Sequence, residues 1–221
     1  MKQNTLRRAT IDRAVIYSED IINLFLANYR RNKLSNTDFS IISNNCWGGH
    51  VYRRYHLPYT SPTVGLYFFA DDYIKFVMNL DKNLHSNIEM ISANESRHFL
   101  ELQKKGQLHV PVGVLNDDIE IIFLHYHSKQ EAEVKWKRRA SRVNFENLIV
   151  KFSEMNGCTD THIKQFHELP FDKKILLLSK KNPIAPEGIV VHRYADDNSV
   201  LDDTTYYSKH FPLDDFIGEK Q

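Results

Sequence analysis

Apolar positions recur at helical spacing early in the chain. Ile11, Val15, Ile22, Phe25 and Tyr29 fall on one face, and Thr10 stands where a helix cap belongs. The spacing predicts a helix over about 10–31, ending near "RRNKLSN". A strand over Phe39–Ser43 follows, then the loop "SNNCWGGH", a short helix over "HVYRRYH" and a proline-marked loop, "LPYTSPT". "VGLYFF" (Val64–Phe69) reads as a strand. Asp71 or Asp72 then opens a helix whose face is Tyr73, Phe76, Val77, Leu80 and Leu84. "IEMIS" is a short strand, and residues 93–108 mix polarities without defining an element.

In the second half, "VPVGVL" and "DIEIIFLHYH" are strands joined around Asn116-Asp117, a hairpin-type turn. Ser128 and Glu131 have capping-box spacing and open a helix to about Val143. "NLIVKFS" is a buried-type strand, Thr159 caps a helix that stops at Leu169, and "KILLLS" and "GIVVH" complete the strands. Strands alternating with helices predict an α/β fold: a mixed, mostly parallel sheet flanked by helices. "FSIISNNCWGGHVYRRYH" and "IVKFSEMNGCTDTHIKQFH" share the order strand, serine, asparagine, cysteine, helix. The chain reads as a single α/β domain over 1–221, with the helix 10–31 and an acidic tail 195–221; the shared order is either chance or the mark of two similar βα lobes, about 34–144 and 145–195.

Composition narrows the classes. The 221 residues are enough for a sizeable core, and the formal net charge of +1 gives no global field for nucleic acid. No signal-peptide core or membrane-spanning run is visible, and two distant cysteines, Cys46 and Cys158, suit a reducing cytoplasm. The tail aspartates Asp196, Asp197, Asp202, Asp203, Asp214 and Asp215 read as a solvated acidic stretch rather than a metal site.

Candidate chemistry gathers at the end of the first strand, where open α/β sheets bind ligands. In Ser43–Gly49, Asn44 and Asn45 offer amides for hydroxyls, and Trp47 offers a stacking surface. Gly48 and Gly49 allow a sharp turn or close approach to a ligand. A helix starting at His50 would lower the thiol pKa of Cys46 and favour an anion. The plain alternative is a buried cysteine, a core tryptophan and a simple turn. In "KWKRRASR", Lys135, Arg138, Arg139 and Arg142 gather beside the helix face of Ala132, Trp136, Ala140 and Val143. They either line a cleft that takes phosphate or form a solvated basic face. His125 extends the alternating row Ile119, Ile121, Phe123, either as a core histidine or as a base emerging at the sheet's end.

"FSIISNNCWGGHVYRRYHLPYTSPTVGLYFFADDYIKFVMNL", "VPVGVLNDDIEIIFLHYHSKQEAEVKWKRRASRVNFENLIVKFS" and "NGCTD" resemble a bacterial family of unknown function found in exopolysaccharide, capsule and O-antigen biosynthesis clusters. The resemblance covers most of 38–180 and leaves out the first helix and the tail. It implies an α/β fold and a role in making surface polysaccharide, with no catalytic residues to carry over. The leading expectation is then a cytoplasmic transferase, with a nucleotide sugar or acetyl-coenzyme A as donor and a sugar or lipid-linked glycan as acceptor. Asn44, Asn45 and Trp47 would hold sugar, Arg138, Arg139 and Arg142 phosphate, and His125 would be the base. Cys46 would support the loop or carry an acyl group. Two rivals are a non-catalytic glycan- or partner-binding module at the membrane's inner face, and a cysteine-dependent hydrolase, which needs a histidine beside Cys46.

Overall fold

In chain order the elements are α1 (Lys2–Lys33), β1 (Ser40–Ser43), α2 (Trp47–Arg54), α3 (Ala70–Met78), α4 (Leu80–His85), β2 (Ile88–Ser92), α5 (Phe99–Lys104), β3 (Pro111–Leu115), β4 (Ile119–Ile122), α6 (Lys129–Ala140), β5 (Leu148–Ser153), α7 (Asp160–Glu168), β6 (Lys173–Leu178), β7 (Ile189–Val190) and α8 (Leu213–Gly218). The computed structural model describes residues 2–218, with side chains from Ile11 onward except that of Arg13.

The fold is α/β, as the alternation of elements implies. Strands β1, β5, β6 and β7 form a four-stranded parallel sheet in the order β1-β5-β6-β7. The antiparallel strands form a separate smaller sheet, β2-β3-β4, whose hairpin turns at Asn116 and Asp117 with φ of 52° and 59°. Those left-handed values are the ones a two-residue turn requires.

Alternation along the parallel strands sends apolar side chains to both faces. Ile42, Val150, Phe152, Leu176 and Leu178 meet α3, α6, α7 and the small sheet in one core. Ile41, Ile149, Ile175 and Leu177 meet α2, Tyr207 and α8 in another. Burial on both faces is what a parallel sheet needs.

Several expectations change. Helix α1 starts at Lys2, so Thr10 lies inside it. Its face Ile11, Ile22, Phe25, Tyr29 is turned outward, while Asn23 and Ala27 are buried on the inner side. Val64–Phe69 forms a single bridge, Tyr67 to Ile122, rather than a ladder. Gly65, with φ of 77°, breaks the extended geometry at its start. The segment runs between two cores, sending Leu66 and Phe68 to one and Tyr67 and Phe69 to the other. Helix α5 fills part of the undefined stretch 93–108. Ser128 Oγ accepts from the Glu131 N–H at 3.1 Å, so α6 starts where its cap spacing places it.

The largest correction is the tail. It is not a solvated stretch: Val200, Asp203, Tyr207, Leu213 and Ile217 are buried against the sheet's second face. Arg54 of α2 holds Asp214 through two hydrogen bonds of 2.9 and 2.7 Å. Asp203 forms an ion pair with Lys151 of β5, and both side chains are fully buried. Lys151 Nζ also donates to Asn45 Oδ1 at 3.0 Å and to Asn44 Oδ1 at 3.3 Å. Asn45 Nδ2 donates to Asp203 Oδ1 at 2.6 Å, and Ser153 Oγ donates to Asp203 Oδ2. Burial pulls the Lys151 pKa below its ordinary value, and the adjacent Asp203 opposes that shift.

Removing one partner of a buried ion pair leaves the other charge unanswered and costs about 3–5 kcal/mol. Asp203→Leu alone is therefore expected to lower unfolding free energy by that amount in urea titration. The double variant Lys151→Met/Asp203→Leu is expected to recover at least half of the loss. Equal losses in the single and double variants would contradict this assignment.

Candidate functional site

A hollow of about 790 Å³ opens beyond the carboxyl ends of β1 and β5. Asn45, Cys46 and His50 enter it from the β1 side, and Met155 and Asn156 from the β5 side. The segment after β4 contributes His125 and Tyr126, and α6 contributes Lys135 and Arg139. The Cys46 turn and one edge of the arginine helix thus share one cavity. Leu201, Asp202 and Thr204 of the tail complete its wall. Sequence reasoning missed that contribution by treating the tail as solvated.

The expected site residues separate into two groups. Ser43, Asn44 and Trp47 are sealed beneath the hollow. Ser43 Oγ donates to the Asn45 carbonyl at 2.6 Å. Asn44 clamps β5, its Nδ2 donating to the Ser153 carbonyl at 3.0 Å and its Oδ1 accepting from the Ser153 N–H at 3.1 Å. Trp47 stacks on Phe211 in the second core, with ring centroids 6.3 Å apart. These three residues build the floor of the site and cannot reach a sugar. Asn45 lines the hollow but spends its amide on Asp203, Lys151 and the Trp47 N–H.

The glycines also have a different role from the one their spacing implied. The helix starts at Trp47 rather than His50, so both glycines lie inside α2. A Cβ on Gly48 would come within 3.1 Å of Ile41 Cγ2, and one on Gly49 within 3.1 Å of Val64 Cγ1. Close packing of α2 on β1 and on the Val64 segment is the constraint they meet. Gly49 still forms part of the cavity wall.

Cys46 is the N-cap residue of α2, yet it is not an activated thiolate. Burial, helped by Asp203, pushes its thiol up to about 11. Its Sγ donates to the Leu66 carbonyl at 3.5 Å, and no histidine among the described residues is hydrogen-bonded to it. Desolvation outweighs the helix N-terminus here. Burial thus works against the lowered thiol pKa that a helix start implies, and the Cys46 thiol is hydrogen-bonded to a backbone carbonyl.

The basic stripe divides as well. Arg138 and Arg142 are exposed and stand outside the hollow, and Lys135 is paired with Glu131 at 2.5 Å. Arg139 is only 8% exposed and faces the cavity. Its Nη1 donates to Tyr126 Oη at 2.6 Å and to the Val64 carbonyl at 3.3 Å, and its guanidinium lies 5.0 Å from the Tyr59 ring centroid. No carboxylate among the described residues pairs with it. None of its nitrogens is both buried and unpartnered.

Arg53 and Lys105 add further positive charge to the wall, and Asp202 is the one carboxylate on it among the described residues. Asp202 is occupied by Thr204 and Thr205, accepting the Thr204 N–H at 2.8 Å. Lys105 Nζ donates to Asn156 Oδ1 at 2.9 Å beneath the Tyr67 ring. Two histidines stay neutral near pH 7. Burial and then Arg53 lower His50 to about 4, and the same causes lower His125 below its ordinary value. Arg53 Nη2 lies 2.9 Å from His50 Nδ1, so that nitrogen accepts and the proton sits on Nε2. Ile119, Ile121 and Phe123 share one core, β4 ends at Ile122, and His125 emerges at the rim, where part of its ring is covered and part is open.

The model of a domain of unknown function, DUF1919, matches residues 17–216. The chain belongs to the DUF1919 family. The DUF1919 match takes in the second half of α1 and nearly the whole tail, beyond the 38–180 covered by the resemblance in sequence. An uncharacterized protein of Haemophilus influenzae is similar too, 32% identical over 178 residues that cover 80% of each chain. No helix among the described residues of this DUF1919 chain is long and apolar enough to cross a membrane.

The state of Cys46 is open to direct measurement. With a thiol pKa of about 11, Cys46 is expected to be alkylated by iodoacetamide at pH 8 at least about tenfold more slowly than in the urea-unfolded chain. Labelling at the rate of the unfolded chain would restore the nucleophile.

Proposed function

We propose that this protein is a transferase of bacterial surface-polysaccharide assembly, moving a sugar or acyl group from a phosphate-bearing donor onto a glycan. The observation that carries this reading is Arg139: a buried guanidinium without a carboxylate, facing a hollow whose other charges are mostly cationic. Such a site is incomplete without an anion. Nucleotide sugars and acetyl-coenzyme A both supply phosphates, and a volume of about 790 Å³ lies in the range of ligand sites of that size. Tyr59, Tyr67 and Tyr126 give the wall aromatic faces for a sugar or base.

In this reading His125, neutral at working pH, takes the proton of an acceptor hydroxyl. The oxygen attacks the anomeric or acyl carbon, and the bond from that carbon to the phosphate oxygen or to the thioester sulfur breaks. The electron pair leaves with the donor's departing group. Arg139, Arg53 and Lys105 hold the donor phosphates and, for a nucleotide sugar, the charge that develops on them. Cys46 supports the loop. The surface-polysaccharide assignment draws on the resemblance carried by "SNNCWGG" and its neighbouring segments. The reaction would take place in the cytoplasm, at the inner face of the membrane when the acceptor is lipid-linked. A non-catalytic glycan- or partner-binding module would show ligand binding without turnover.

A thermal-shift panel of nucleoside diphosphate sugars, free nucleotides, acetyl-coenzyme A and neutral oligosaccharides tests the reading. A ligand at a hundred times its Kd adds about 2.7 kcal/mol, a rise of roughly 5–10 °C for a chain of this size. At least one phosphate-bearing donor is expected to give that rise. Lys105→Ala should weaken its binding by roughly tenfold or more. A rise with neutral oligosaccharides alone, or none with any phosphate compound, would overturn it.

A further inference from the structure

Eight of the thirteen large apolar side chains exposed among the described residues lie on α1, led by Leu24 at 81%, Phe25 at 78% and Tyr17 at 70%. At 100° per residue they span an arc of roughly 200°. From Ala14 to Tyr29 the charged residues are Glu19 and Asp20 alone. Both sit toward the inner flank: Glu19 is half-buried, and Asp20 lies 3.6 Å from Arg53. The outer face of α1 is therefore a continuous uncharged surface, of a kind that marks an interaction site.

Three observations identify what covers it. A helix–helix seam occupies two or three positions in seven, so one partner helix along Ile22, Phe25 and Tyr29 would leave Tyr17 and Leu24 in water. A lipid surface covers the whole arc. Second, of the basic residues in the last turn, Arg30 is held by Asn23 and Arg31 by Asn28 and the His56 carbonyl, whereas Lys33 is exposed with its ammonium 4.4 Å from the Tyr29 ring centroid. Long basic side chains beside interfacial aromatics reach lipid phosphates from that position. Third, a cavity of about 360 Å³ lies beside α1, lined by Leu24, Ala27 and Leu57 together with Asp20, Asn23, Asn28 and His56, and Arg53 and Tyr59 also belong to its wall. Those last two side chains also line the cationic hollow, so cavity and hollow adjoin.

We propose that α1 seats this protein on an anionic bilayer, its uncharged outer face at the headgroup–acyl boundary, so that the hollow faces phosphates carried by lipid. The seating rests on α1 itself; the hollow's use of a lipid phosphate rests on the transferase reading. The cavity beside α1 shares Arg53 and Tyr59 with the hollow, so the phosphate site adjoins the seated helix.

Flotation with vesicles of phosphatidylethanolamine and phosphatidylglycerol at 3:1 tests the seating on the full chain. The protein is expected to float with them and to be released in part by high salt. The double variant Leu24→Glu/Phe25→Glu should lower the bound fraction by at least about tenfold, since two exposed side chains lose their transfer into lipid. Its circular dichroism and Tm should match the parent's, because both positions are exposed. Failure of the parent to float, or equal flotation of the variant, overturns the proposal. So does a parent dimer in sedimentation velocity that the variant dissociates, which would assign the face to a second copy. Nucleotide thermal shifts on the same samples separate the two readings. Lost flotation with retained shifts counts against the seating alone, and retained flotation without shifts counts against the transferase alone.

Discussion

A lysine ammonium sealed inside a protein must meet a carboxylate or give up its proton. Lys151 meets Asp203, and much of the molecule is arranged around that meeting. The lysine stands on β5, inside the four-stranded sheet, and points to the face that α2 and the tail cover. Its counter-ion comes from a distant part of the chain, so the sheet is complete only when the tail has folded back across it. Asn44 and Asn45 satisfy the remaining donors, which ties the end of β1 to the same point. The two asparagines that follow "FSIIS" are thus part of a buried polar lock.

That lock explains why the hollow above it is shaped and charged as it is. The asparagine loop is held down by hydrogen bonds rather than left open for a ligand. Beside Asn45, what faces the cavity is the thiol of Cys46, the histidines and the cationic side chains Arg53, Lys105, Lys135 and Arg139. Asp203 is spent on Lys151, and Asp202 on its neighbouring threonines. With these acids engaged, Arg139 keeps its charge unanswered beside the cavity. The same desolvation that depresses His50 and His125 raises Cys46. One environment therefore favours neutral imidazoles and disfavours a thiolate.

Much of the fold was legible from periodicity. Strands β1, β2, β5 and β6, the turn at Asn116-Asp117 and the cap at Ser128 all followed from local pattern, because local sterics and hydrogen bonding decide them. Direction was less legible. The spacing of Ile11, Ile22, Phe25 and Tyr29 defines a helix face, but spacing cannot say whether that face meets a core or solvent. "VGLYFF" is uniformly apolar because alternate residues enter two different cores, and a run of that kind looks like a strand without being in a ladder. That a hollow opens at the end of β1 was legible from topology, whereas the packing of Asn44, Trp47 and Gly48 was not, since a buried polar lock and a ligand loop use the same residue types. Two signals went unused. A lysine inside the apolar run "NLIVKFS" calls for a buried counter-ion. A tail carrying Val200, Tyr207, Leu213 and Ile217 between its aspartates is too apolar to be a solvated stretch.

The central claim is that Lys151 and Asp203 join the asparagine loop and the tail into one cooperative unit behind the hollow. Native-state hydrogen exchange, read by mass spectrometry on peptides spanning Asn44–Gly49 and Thr204–Tyr207, tests it most directly. The account predicts that both segments open with the same free energy, and that Asp203→Asn lowers the protection of both by the same amount. Loss of protection in the tail peptide alone, with the asparagine loop still as slow as in the parent, would contradict it.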